Sequence, residues 1–400
     1  MIRILPVHPP SEPCSPTRGN QTLTPSTTPD QSSQPVSRGF TRVAVLFHAL
    51  AGAVLVVWGD RVHEHLLLPA TVATIHLYVL GVLTMSLIGL ALERLPYWTG
   101  QPLPWPGLNR WTLFFLSLGA LTVFLGIGTD MHRWNLLAAS AGVGLGIGFF
   151  ILQAGRMLFA ATRHDGLILI LKLSILSLTA VLILGGIFLG EYAHGFMAFD
   201  RMSMVGVHLT LGIYGWAGLM LMALRRSTSA TRARHDDTLP MSVVIGAFLS
   251  LCFIPWMLFN PNAGDYWLWP CVLPGFATIA MISAHAHNNR FWRAGDLLGV
   301  AAFLVLSTWP LVPDERTRFL FGVLILPGWT LGQLLGIYEH RNPGRLGVVH
   351  LALYLASVAL PAMGLFLPWT EFWRMGGVAW LLLSVLFVAA HQKGQARDPA

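Results

Sequence analysis

Charge is what this chain has least of. Of its 400 residues only 11% are Asp, Glu, Lys or Arg, and 54% are hydrophobic; a soluble domain carries roughly 25% charged residues. A water-soluble fold of that composition could not cover its surface with polar groups, which excludes an ordinary soluble enzyme or binding module. Cysteine is nearly as scarce. Cys14, Cys252 and Cys271 are odd in number and scattered, so neither a disulfide framework nor a cysteine metal site is expected. Phosphate-cradling loops with their lysine, nucleophile elbows and zinc-protease histidine pairs are absent too. The apolar runs hold almost no acid, whereas a proton-coupled carrier usually needs an acidic relay at depth. That counts against ion-driven transport and leaves carriers of neutral or lipidic substrates open.

What the chain does have is long apolar runs, with a mean hydropathy of +0.61. Read in windows of about 20 residues, they predict twelve helices. These fall at about 41–59, 68–92, 110–128, 134–158, 166–190, 203–224, 239–259, 264–286, 296–313, 317–338, 346–367 and 371–391. The expected fold class is therefore all-α, a polytopic integral membrane protein in a lipid bilayer. Short loops carry the turn residues, as in Asn260-Pro261-Asn262 and Asn342-Pro343-Gly344.

Orientation follows from the cations. With the N-terminus inside, the inner segments hold 18 of the 25 Lys and Arg residues. The outer loops hold six, and Lys172 lies within the fifth helix, near enough to the inner surface to snorkel there. Adding or removing one helix would scramble this alternation. Both termini are thus expected in the cytoplasm, and a bacterial inner membrane is the expected location. The pI near 9.8 reflects a net charge of only +7, so no nucleic-acid partner is expected.

Residues 1–38 are rich in Ser, Thr, Pro and Gln and have no apolar face to bury; they read as a disordered cytoplasmic tail. A basic stretch followed at once by an apolar core is missing there, so a cleavable signal peptide is not expected. Residues 39–392 form the transmembrane domain, and 393–400 a short cytoplasmic tail.

His76 is the most informative residue. It lies about 12 Å down the second predicted helix at 1.5 Å per residue, where water cannot partner it. It needs a carbonyl, a side chain, a metal or a haem iron. His208 lies about 8 Å down the sixth helix, on the same outer side. The two could ligate a metal in one layer, joined by His194 in the loop that feeds the sixth helix. The alternative is that each donates to a neighbouring helix. Beneath His208, Gly212, Gly215 and Leu219 form a smooth stripe that could hold another helix or a flat macrocycle. His48 and His350 could form a second, inner site. His285-Ala286-His287 and His340 end helices and read as solvated caps, because residues two apart on a helix diverge by about 200°. Gly142, Gly144, Gly146 and Gly148 contain two overlapping small-x-x-x-small pairs, the signature of close helix contact.

After His76 come Gly81, Gly89 and then Pro96-Tyr97-Trp98-Thr99-Gly100. From His76 to Gly100 the chain resembles the NnrS family of twelve-helix membrane proteins tied to nitric oxide stress and denitrification. There an intramembrane histidine segment is followed by spaced glycines and a Pro-Asn-Trp-Thr-Gly motif. Thr74 and Leu77 stand where that family carries a second histidine and a glutamate, and its Gly-Gly-Arg motif has at best Leu224-Arg225-Arg226 as counterpart. The resemblance implies haem and copper binding, a distant relation to the haem–copper oxidase catalytic subunit, and respiratory or denitrification membrane complexes as partners. Reduction at a binuclear centre is not implied, since the seventh helix lacks the oxidase histidine pair; a sensing, assembly or protective role is. The competing reading is a transporter or permease whose histidines only join helices.

Overall fold

Runs of twenty apolar residues in lipid must satisfy their own backbone, and a helix does this within one segment. The computed structural model describes residues 34–62, 65, 67–128, 133–162, 165–194, 201–228, 289–307, 314–367 and 369–395. Among them ten helical rods follow one another, without a strand. They are α1 (Gln34–Val62), α2 (Pro69–Thr99), α3 (Leu108–Gly128), α4 (Arg133–Phe159) and α5 (Gly166–His194). Then α6 runs through Arg201–Thr210, Leu211–Gly218 and Leu219–Thr228, followed by α7 (Arg290–Ser307). The last three are α8 (Glu315–Val323, Leu324–Thr330 and Leu331–Arg341), α9 (Val348–Gly364) and α10 (Glu371–Gln395). Eight of these, α1 to α6, α8 and α10, are long and apolar enough to cross a membrane, and α9 is a shorter apolar helix. This is the build of a multi-pass membrane protein. The helices expected at 239–259 and 264–286 lie outside the described residues, as do residues 1–33 of the expected tail and all three cysteines.

Three helices form the centre. The apolar windows of α8, α6 and α2 are 83%, 72% and 67% buried inside the bundle, against 33% for α4 and α5. The same three each contain a π-helical stretch: Val79–Thr84, Leu211–Gly218 and Leu324–Thr330. A π-turn inserts a residue and re-aims the helix face, and such turns concentrate at functional sites.

The glycine-rich helix is α4, and only one of its two small-residue faces is used. A Cβ on Gly142 would stand 2.8 Å from Gly119 Cα, and one on Gly146 would stand 2.6 Å from the Leu116 nitrogen, so α3 and α4 touch backbone to backbone. Among the described residues, nothing stands within 4 Å of a Cβ on Gly144 or Gly148.

Several helices run past their expected ends: α1 starts at Gln34, inside the expected tail, and α2 continues to Thr99. At two further ends the reason is electrostatic. The sixth helix was expected to stop at Leu224 and the ninth to start at Asp296; instead α6 continues to Thr228 and α7 begins at Arg290. Arg225, with 3% of its side chain exposed, donates to both Asp296 oxygens at 3.0 and 3.1 Å and to Gln333 Oε1 at 3.2 Å. Gln333 Nε2 donates in turn to Asp296 at 2.8 Å, and the Trp292 ring lies 5.0 Å from the guanidinium. Charges that hydropathy assigns to a boundary can be buried when they neutralise each other across α6, α7 and α8.

Candidate functional site

His76 and His208 come together. His76 is seven residues into α2 and His208 seven residues into α6, the same depth of about 10 Å, and their ring centroids are 6.4 Å apart at 30°. Both are half-buried. Pro69 at the first turn starts α2, where its missing N–H costs nothing. His76 Nδ1 lies 2.8 Å from the carbonyl oxygen of Val72, one turn back. A carbonyl can only accept, so Nδ1 carries the proton and neutral His76 keeps its lone pair on Nε2. A metal-binding histidine commonly has this arrangement, one nitrogen anchored on a carbonyl and the other left to ligate.

His208 sits between His76 and the edge of Phe188, 5.6 Å away on α5. Its Nδ1 is buried and has no hydrogen-bond partner among the described residues. The stripe beneath it is occupied by a helix, which decides between the two occupants the sequence allowed. A Cβ on Gly215 would stand 2.5 Å from Ser177 Oγ, and Gly212 faces Val181. Gly185 of α5 faces His208 itself, so α5 lies along this groove.

His194 is the last residue of α5, and its side chain lies outside the described residues. Nearby, Glu191 and Arg201 form an ion pair that ties the end of α5 to the start of α6, and the guanidinium lies 5.1 Å from the Tyr192 ring. The Glu191 contact holds Arg201 protonated, raising its pKa further. No group of three or more His, Cys, Asp or Glu side chains converges among the described residues.

The signature that follows His76 has a local structural cause at each step. Gly81 lies in the π-helical stretch, where a Cβ would stand 2.4 Å from Phe47 Cγ, and a Cβ on Gly89 would stand 2.5 Å from Phe40 Cβ. These glycines let α1 approach α2. Trp98 and Thr99 are buried. Gly100, at φ +66°, ends the helix in the left-handed conformation that side chains resist, and its N–H closes on the Pro96 carbonyl. The segment thus sets the shape of α2 around His76 and adds no metal ligand.

The other polar residues that the sequence singled out each make at least one contact, where they are described. Gln153 donates to the carbonyls of Pro104 and Trp105, both at 3.0 Å. Lys172 Nζ reaches over the Phe159 ring at the end of α4. His340 is exposed and stacks on Trp292. His350 Nδ1 accepts the Gly347 N–H at the start of α9, and His48 is bonded to Ser384 at 2.7 Å. His285 and His287 lie outside the described residues. Sequence reasoning missed the Arg225–Asp296–Gln333 network; the signal was three polar residues on three helices, each placed at a span edge or passed over singly.

No protein-family model matches this chain, and no curated protein matches it.

Proposed function

We propose that this protein is an NnrS-like, haem- or copper-binding protein of the bacterial inner membrane, with a role in nitrogen-oxide or respiratory metabolism. In this reading it has twelve spans, both termini in the cytoplasm, and respiratory or denitrification complexes as neighbours. The supporting observation is the pairing of His76 and His208 at one depth on two central helices.

The donor set suits such a group. Two imidazoles that share one ion, each about 2 Å from it through a ring nitrogen, have centroids roughly 5–6.5 Å apart. The observed 6.4 Å falls in that range. His76 offers Nε2, and the Val72 carbonyl fixes its tautomer and raises its basicity. His208 offers a nitrogen already removed from water and otherwise unpartnered among the described residues. His194 is a further donor in this proposal. Copper or haem iron held by these histidines would supply one-electron chemistry. The chain's own contribution is to hold two neutral imidazoles in a water-poor layer.

Purification in mild detergent from a haem- and copper-replete host tests this. The expected preparation shows a Soret band that shifts on dithionite reduction, or copper by elemental analysis. His76→Ala should remove that signal and His340→Ala should keep it. A colourless, metal-free preparation would sink the reading in favour of a permease in which the histidines only join helices. A cavity of about 540 Å³ at the far end of α1 and α2 favours that second reading.

A further inference from the structure

Neither a carboxylate nor a third imidazole joins His76 and His208 among the described residues. Glu191, near the end of α5, is already held by Arg201. An ion between the two neutral rings therefore keeps its full charge in a layer poor in water. Desolvation cost grows with the square of the charge, so a divalent ion is penalised about four times as heavily as a monovalent one. Space also selects between haem and a bare ion. The face of α6 beneath His208, which a flat macrocycle would need, is filled by α5, where a Cβ on Gly215 would meet Ser177 Oγ at 2.5 Å. Gly185 brings α5 up to His208 itself, and the Phe188 ring is 5.6 Å from the imidazole.

The same helix carries a donor suited to a soft monovalent ion. Met204 lies four residues before His208 in the α-helical first part of α6, Arg201–Thr210, so the two side chains share one face a turn apart. Helical side chains lean towards the start of their helix. His76 does so, since its Nδ1 reaches the Val72 carbonyl one turn back. A ring at His208 that leans the same way lies over the turn of Met204. Met204 is 4% exposed, yet it stands outside the continuous apolar core that takes in Val207, Ile213 and Met220. Methionine is ordinarily buried to fill apolar gaps, so a buried thioether apart from that core calls for another use.

We propose that His76, His208 and Met204 form a copper(I) site, with two imidazole nitrogens and the Met204 thioether sulfur as ligands. The proposal rests on the metal-binding reading above and narrows it to one ion. Soft sulfur donors select Cu(I), and three neutral ligands leave it a single positive charge. The anchored Nδ1 of His76 leaves its Nε2 to ligate.

Full-length protein in mild detergent is loaded anaerobically with Cu(I) under ascorbate, in competition with bicinchoninate, and copper K-edge absorption reads the ligand shell. One Cu(I) per chain is expected, with a sulfur beside two imidazoles. In selenomethionine-labelled protein, selenium should replace that sulfur. Met204→Leu nearly conserves volume, so the metal-free protein should melt as before. The same variant should lose the sulfur shell and bind Cu(I) at least about tenfold more weakly. Met220→Leu, in the apolar core of the same helix, should leave the shell as it was. A shell without selenium in the labelled wild type overturns the assignment of Met204 whether or not the variant folds, and so does a selenium shell that survives Met204→Leu. If the pair holds haem instead, lost with His76→Ala, the copper assignment fails while the metal-binding reading stands. A protein that takes up neither copper nor haem removes both.

Discussion

Asp296→Ala should be among the most destabilising single changes in the bundle. Arg225 has 3% of its side chain exposed and gives Asp296 three N–H···O contacts of 3.0–3.1 Å. Removing the carboxylate leaves a guanidinium in a site with almost no water, supported by Gln333 Oε1 and the Trp292 face. Breaking one side of a buried pair costs about 3–5 kcal/mol, because the surviving charge is stranded. At about 1.4 kcal/mol per factor of ten, the unfolding equilibrium shifts by two to three and a half orders of magnitude. Asp296→Asn keeps the shape and part of the hydrogen bonding and should lose less. The decisive variant is Arg225→Met combined with Asp296→Leu. With no charge left to desolvate, it should recover most of the loss and can equal the wild type. Unfolding in mixed micelles, titrated with a denaturing detergent, gives the four corners of the cycle. If the double variant is as unstable as the sum of the singles, the two residues act independently and the reasoning fails.

Other predictions rest on single contacts. Gly81→Ala places a Cβ 2.4 Å from Phe47 Cγ and should cost about 1–3 kcal/mol, partly restored by Phe47→Leu; an unchanged melting temperature would contradict it. Gly142→Leu should separate α3 from α4 and destabilise the protein, while Gly144→Leu, with nothing within 4 Å among the described residues, should be silent in the same melting assay. Gly100→Ala forces a methyl group into φ +66° and should cost about 1–2 kcal/mol, seen as a lower thermal midpoint at constant expression. His76→Ala should leave helix content by circular dichroism intact while removing bound metal or haem, which separates a ligand from a packing residue.

Most of the helix pattern was legible because backbone satisfaction in lipid ties a span to an apolar run of fixed length. α3 and α4 begin and end within two residues of where hydropathy puts them. Boundaries failed where charge entered. Arg225 and Asp296 look solvated when read singly, since a window average cannot see a partner 71 positions away. The histidine layer was legible by counting residues from the helix starts, and the 6.4 Å ring separation agrees with that count. His48 was not legible as part of a cavity lining. Its tautomer depends on Ser384, 336 residues away, and on where that hydroxyl sends its proton.

The sequence alone determined an all-helical membrane protein, the depth of His76 and His208, and the small-residue faces, because these follow from one-dimensional periodicity and the cost of bare backbone in lipid. Only the tertiary structure decided which faces meet. It seated α5 against the stripe below His208, used Gly142 and left Gly144 open, and turned the Gly and Trp-Thr-Gly positions into the packing and cap of α2. It also buried an ion pair and enclosed a cavity between α1, α2, α8 and α10. Each depends on which helices are neighbours, and neighbour choice is set by side-chain contacts between segments far apart in the chain.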